Sequence, residues 1–167
     1  MSTSSLLAAE YLRELEAEAS ATRACLENVP MEIPDWKPHE KSMQLGHLAI
    51  LVADIPKWIQ QMIDIGVIDF ATYEQFRGTT TNELVAHFDA NMDKARKSLG
   101  ELTDEGLTKD FVLKNNDEIY MKTPVGETIS STINHMVHHR GQLSVYLRLN
   151  DAAVPSIYGP SADSPGF

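Results

Sequence analysis

The residues of this chain best equipped for chemistry are the imidazoles of Asn134-His-Met-Val-His-His-Arg-Gly-Gln142. Within a helix, His135 and His139 stand one turn apart on the same face, with Cβ atoms roughly 5–6 Å apart. That spacing lets two rings converge on one ion, as in the two-histidine helix of zinc proteases. Two ligands do not make a tight site, so a third must come from a facing helix. His47, in Leu45-Gly-His-Leu48, sits near an apolar helix face beside a glycine that permits close approach. Three neutral imidazoles and one open position suit a divalent ion of borderline softness, with Zn, Ni, Co, Fe and Mn all admissible. The open position carries the chemical interest. A metal-bound water has its pKa lowered towards neutrality, and a bound thiol is held as thiolate. Asp54, two turns after His47, is a further donor that would close the coordination sphere. The plain alternative is a helical bundle with three hydrogen-bonded histidines, in which chelators change nothing.

The elements that must position these rings are helices. Apolar residues recur at three- and four-residue intervals in four segments, and nothing long alternates as a strand does. The first segment spans about 6–28, with Leu7, Tyr11, Leu15, Ala19, Thr22 and Leu26 on one side and acidic residues opposite. The second spans about 42–65, from Ser42 as N-cap to Gly66 as stop, with Pro56 expected to kink it because proline removes the bond to the Val52 carbonyl. The third opens at a capping box, Thr80-Thr-Asn-Glu83, and runs to Gly100. The fourth starts at Thr123-Pro124, read as an N-cap and first-turn proline, and ends near Leu149. On it, Thr132, His135, His139, Gln142 and Tyr146 form one polar stripe beside the apolar stripe of Ile129, Ile133, Met136, Leu143 and Leu147. A seam built only for stability would avoid such polarity. His138 points about 100° away from His139, and His39 and His87 read as solvated. Arg140 reads as a surface cation and Gly141 as a close-packing position.

The joins at 29–41, 66–79 and 101–122 exceed what tight helical hairpins need. The middle one is long enough to cross the bundle and leave helices two and three parallel. The last contains Phe111-Val-Leu113 and Glu118-Ile-Tyr-Met121 about Asn115-Asn116, a pattern compatible with a short hairpin. The expected fold is nevertheless all-α: one four-helix-bundle domain over 1–167.

Composition bounds the function. Twenty-four acidic against 14 basic residues give a formal charge of -10, and no Lys/Arg cluster overrides it, which argues against nucleic acid or an anionic membrane as partner. The longest apolar run, Leu48 to Ala53, is too short to span a bilayer. One cysteine, Cys25, excludes an intrachain disulfide framework, and the acidic N-terminal segment does not read as a signal peptide. A cytoplasmic protein is expected.

Asn134-His-Met-Val-His-His-Arg-Gly-Gln142, followed by Tyr146-Leu-Arg148, resembles the signature of the DinB/YfiT-like superfamily of proposed metalloenzymes. Trp36-Lys-Pro-His-Glu-Lys-Ser42 before His47 resembles that family's entry to its second helix, and Val154-Pro-Ser-Ile-Tyr-Gly-Pro-Ser161 its C-terminal ending. The resemblance covers nearly the whole chain. It implies an up-down-down-up bundle, a metal on His47, His135 and His139, and a tendency to form homodimers. Relatives include thiol-dependent S-transferases and isomerases that use bacillithiol, mycothiol or glutathione. The resemblance therefore implies a divalent-metal-dependent enzyme that transfers a low-molecular-weight thiol to an electrophile, or a metal-assisted hydrolase. The alternative is a non-catalytic metal-binding, stress-associated or interaction protein that keeps the ion as a staple. No catalytic residue beyond the ligands, and no substrate, is legible.

Overall fold

The computed structural model describes residues 5–165. Four long helices, α1 (Leu6–Glu27), α2 (Leu45–Asp64), α3 (Thr81–Glu101) and α5 (Val125–Leu149), surround one apolar core. A short α4 (Asp104–Leu107) and three strands, β1 (Val67–Asp69), β2 (Asp110–Asn115) and β3 (Glu118–Pro124), complete the chain. The all-α expectation is thus corrected: the protein is mostly helical with a small sheet. Strand β1 pairs parallel with β2 through Val67–Val112 and Ile68–Leu113, and β2 pairs antiparallel with β3 through Phe111–Thr123 and Leu113–Met121. Asn116, at φ 52°, turns the hairpin, a left-handed conformation that asparagine tolerates better than most residues. The β2–β3 hairpin falls where the sequence pattern allowed one, whereas β1 escaped the sequence because it is short and its partner lies more than forty residues away.

Side-chain contacts give the helix directions. Arg23 on Asp89 and Arg96 on Glu16 make α1 and α3 antiparallel. His87 on Asp54 and Ser98 on Asp64 make α2 and α3 parallel, so the 66–79 segment does cross the length of the bundle. Tyr146 on Met43 and Trp58 against His135 make α2 and α5 antiparallel. Tyr11 on Gly126 and Arg140 on Glu18 make α1 and α5 parallel.

Local chemistry explains most helix ends. Ser5 accepts from the Leu7 and Ala8 amides, and Thr80 and Glu83 form the expected capping box. Gly66, at φ 77°, ends the turn after α2. At the start of α2 the expected Ser42 cap is replaced by a loop. The Leu45 and Gly46 amides donate to the carbonyls of Trp36 and Pro34 at 2.8 and 2.9 Å, which satisfies donors that a cap would otherwise take. Gly46 is needed for that contact, since a Cβ there would lie 2.8 Å from the Pro34 Cβ. Helix α2 continues through Pro56. Thr123 does not cap α5: it lies in β3, Pro124 takes the N-cap position, and the Thr123 hydroxyl bonds that of Thr128.

Two readings of α5 are overturned. Arg140 is not a surface cation but fully buried, paired with Glu18 at 2.6 Å and bonded to Thr22 and the Tyr158 hydroxyl. Its guanidinium joins α1, α5 and the C-terminal segment. Gly141 is exposed, with nothing near its missing Cβ, so close packing does not explain it. Among the described residues, no helix is long and apolar enough to cross a membrane.

Candidate metal centre and its adjoining cavities

Helix geometry alone brings His135 and His139 together, and the structure closes the gap further. Their Nε2 atoms lie 2.7 Å apart, with ring centroids 4.6 Å apart. On the far side of His139, Nδ1 lies 2.7 Å from the Gln142 amide oxygen. That oxygen only accepts, so His139 carries its proton on Nδ1 and presents a lone pair at Nε2. In the neutral pair His135 Nε2–H then donates to His139 Nε2. One proton occupies the space between two nitrogens that both aim at the same point. Burial, with the neighbouring His139 and His138 rings, lowers the His135 pKa below its ordinary value and favours the neutral ring.

The pair would supply two ligands to a divalent ion once the proton on His135 Nε2 moves to its other nitrogen or leaves. Gln142 does for His139 what outer hydrogen-bond partners do for ligating histidines: it fixes the tautomer and the ring plane. The third expected donor is not gathered with them. His47 is exposed on α2 and lines a different cavity. Among the described residues, no group of three or more His, Cys, Asp and Glu side chains stands close enough to hold an ion. His138 is exposed, its ring edge-on to His139 at 5.0 Å, and His39 is exposed in the loop before α2.

The polar stripe of α5 does not face the core along its whole length. Thr132 and Tyr146 are buried, His139 is half-buried, and His135 and Gln142 are exposed. It runs along the edge of the α2–α5 seam, where two cavities meet. The first, of about 550 Å³, is walled by His47, Ile50, Asp54, Trp58, Tyr73 and Phe76. The second, of about 300 Å³, lies between α2, α5 and the sheet, with Trp58, Met62, Phe111, Met121 and His135 among its walls. The Trp58 ring belongs to both, and its centroid is 5.6 Å from that of His135.

Behind Trp58 stands a partly buried polar network centred on the buried Asp54. The Trp58 indole N–H donates to the Tyr73 hydroxyl at 2.8 Å, and that hydroxyl donates to Asp54 Oδ2 at 3.2 Å. Asp54 Oδ1 lies 2.5 Å from His87 Nε2. The His87 ring stacks on Phe76 at 4.0 Å, and Asn91 bonds the Ala53 carbonyl beside it. Burial, and then the Asp54 carboxylate, push the Tyr73 phenol well above its ordinary pKa, so it stays a donor. The reading of His87 as solvated is corrected, and Asp54 has both carboxylate oxygens occupied. The network pins the crossover segment, through Tyr73 and Phe76, onto α2 and α3. Its signal in the sequence was Asp54 itself, an acid interrupting the apolar run Leu48–Ala53 just before Ile55.

Comparison with known proteins agrees with this architecture. A protein from Bacillus subtilis (strain 168), YrdA, itself described as uncharacterized, is 26% identical over 157 residues, covering 92% of this chain and 89% of its own. Among solved structures, a DinB-like protein from Bacillus cereus ATCC 10987 superposes with a TM-score of 0.68 at 22% identity, covering 89% of this chain and 95% of that one. The DinB-like YjoA of Bacillus subtilis superposes with a TM-score of 0.66 at 17% identity, over 93% and 98%. A family model described as the DinB family matches residues 1–165. With the match running through the loop that seats α2, the histidine pair of α5 and the C-terminal segment, this chain belongs to the DinB family.

Proposed function

We propose that this protein is a divalent-metal-dependent enzyme in which His135 and His139 supply two ligands and the exposed His47 ring of the facing helix turns in to supply the third when an ion binds. The observation that carries the reading is the meeting of two imidazole Nε2 atoms at 2.7 Å, with Gln142 holding the proton of His139 on its other nitrogen. A bound ion would supply a Lewis acid for metal-assisted hydrolysis, or hold a low-molecular-weight thiol as thiolate for transfer to an electrophile. The chain's own residues have separable tasks. Gln142 orients His139, Trp58 walls the approach to His135, and Tyr73 with His87 keeps the Asp54 carboxylate engaged. An occupied Asp54 favours an open position over a closed structural staple, since the sphere would otherwise draw its fourth donor from there. A cavity that opens at His135, with a larger one across the Trp58 wall, is also what small-molecule chemistry needs. Thiol transfer ranks slightly above hydrolysis, and a homodimer is the assembly this reading expects.

The test is elemental analysis of purified protein after loading separately with Zn, Ni, Co, Fe and Mn, repeated for His139→Ala and His47→Ala. One ion per chain in the wild type, lost in both variants, is the expected outcome. A wild type that holds no stoichiometric metal under any loading ends the enzyme reading. Full retention by His47→Ala removes His47 from the ligand set.

A further inference from the structure

The cavity between α2, α5 and the sheet has a chemical character of its own. Its floor is Met62, Ile68 and Phe111, all buried, and its rim is Phe70 and His135, both exposed. No Asp, Glu, Lys or Arg side chain lines it, in a chain of formal charge -10. Three hydroxyls do line it, and each has already spent its hydrogen. Thr128 donates to the Pro124 carbonyl at 3.1 Å, while Ser131 and Thr132 both donate to the Thr128 carbonyl, at 2.8 and 2.9 Å. The cavity thus presents apolar walls, hydroxyl oxygens able only to accept, and one imidazole at its mouth. A charged guest would be stripped of water and given no counter-charge, which is costly. At about 300 Å³, and with water taking roughly 30 Å³ per molecule, the space suits a guest of about ten heavy atoms.

We propose that this cavity binds the uncharged aromatic or branched-aliphatic body of a small molecule, carrying at most a neutral donor such as a hydroxyl, with its reactive end emerging at His135. Taken as the substrate class of the enzyme, the assignment rests on the metal-site reading above; taken as a binding site, it stands on the cavity alone. Trp58 and Phe70 are the walls shared with the larger cavity, so the apolar body lies on one side of these rings and any polar co-substrate on the other.

The experiment uses chelator-treated full-length protein, so that its outcome is independent of whether metal binds. Methionine methyl groups are labelled with carbon-13 and the protein is titrated at pH 7 with 1-naphthol, a neutral probe of matching size, and in parallel with 1-naphthoate. Met62 and Met121 line this cavity, whereas Met31 lines the larger one. The expected result is saturable movement of the Met62 and Met121 signals, with a dissociation constant at or below about 1 mM for a guest of this size, and binding of naphthoate at least roughly tenfold weaker. Met121→Trp, which fills the cavity from the sheet, and Ser131→Trp, which blocks its mouth from an exposed position, should each weaken naphthol at least roughly tenfold while the circular dichroism of the fold is kept. Ser131→Trp decides the matter should Met121→Trp not fold. No movement, movement of Met31 instead, equal binding of naphthoate, or unaltered binding to Ser131→Trp would each overturn the proposal. Failure of the metal reading would register only in the elemental analysis and leave this titration unchanged.

Discussion

Replacing Tyr73 with phenylalanine removes one oxygen from the centre of the Trp58–Tyr73–Asp54–His87 network. The ring stays, with its contact to the Lys57 ammonium at 4.4 Å and its apolar packing, so the change isolates the hydroxyl. Two partners lose it. Asp54, which is 4% exposed, is left with an Oδ2 that has no donor, and a hydrogen bond to a charged group contributes about 1.5–3 kcal/mol. The Trp58 N–H loses its acceptor, but this ring is half-buried and water can replace part of the loss, so about 0.5–1 kcal/mol is expected. The sum, about 2–4 kcal/mol, corresponds to a fall in melting temperature of roughly 5–15 °C for a domain of this size. Urea unfolding followed by circular dichroism should show the midpoint falling at unchanged slope. Hydrogen exchange should quicken first in residues 70–78, because Tyr73 and Phe76 are what fasten that segment. A double-mutant cycle with Trp58→Phe should return a coupling of about 0.5–1.5 kcal/mol between the two side chains. A loss below about 0.5 kcal/mol, with exchange unaltered in 70–78, would refute the reasoning, because such small effects are ordinary for surface changes.

Gln142→Leu frees the His139 ring to rotate and to exchange tautomers, and should weaken metal binding about 10–100-fold without altering stability in metal-free protein, as read by competition with a chromophoric chelator. Glu18→Gln should cost about 3–5 kcal/mol in chemical denaturation, because it leaves the Arg140 guanidinium, 1% exposed, buried without its counter-charge. A cost near zero would mean that Thr22 and Tyr158 suffice. Burial pushes the Cys25 thiol up to about 11, so maleimide at pH 8 should label it only as fast as the protein unfolds. The same shift has a sign in stability: folding keeps the thiol protonated, so its contribution is complete below the unfolded value of about 9. It should fall by about 2–3 kcal/mol as pH rises to 11, measured as the difference between wild type and Cys25→Ala.

What the sequence determined by itself is what local periodicity and local hydrogen bonding decide. The four helices, the Thr80–Glu83 box and the Gly66 stop each depend on residues within a turn or two of one another, and so does the meeting of His135 with His139. The crossover at 66–79 was legible because chain length bounds how far a connection can reach. The family was legible from contiguous strings of residues. Tertiary structure alone decided everything that joins distant segments. Whether Arg140 faces water or Glu18 depends on how α1 lies against α5, and no pattern within α5 carries that. Asp54 became the centre of a network only when the crossover laid Tyr73 against it and α3 brought His87, through contacts 19 and 33 residues away in sequence. Strand β1, three residues long, has too few side chains to announce a period and exists only because β2 satisfies its amides. The place of His47, on the wall of one cavity while His135 guards another, is likewise a matter of helix register. A periodic pattern says which face of each helix is apolar, but the rise at which two faces meet is set by the side chains that interlock between them.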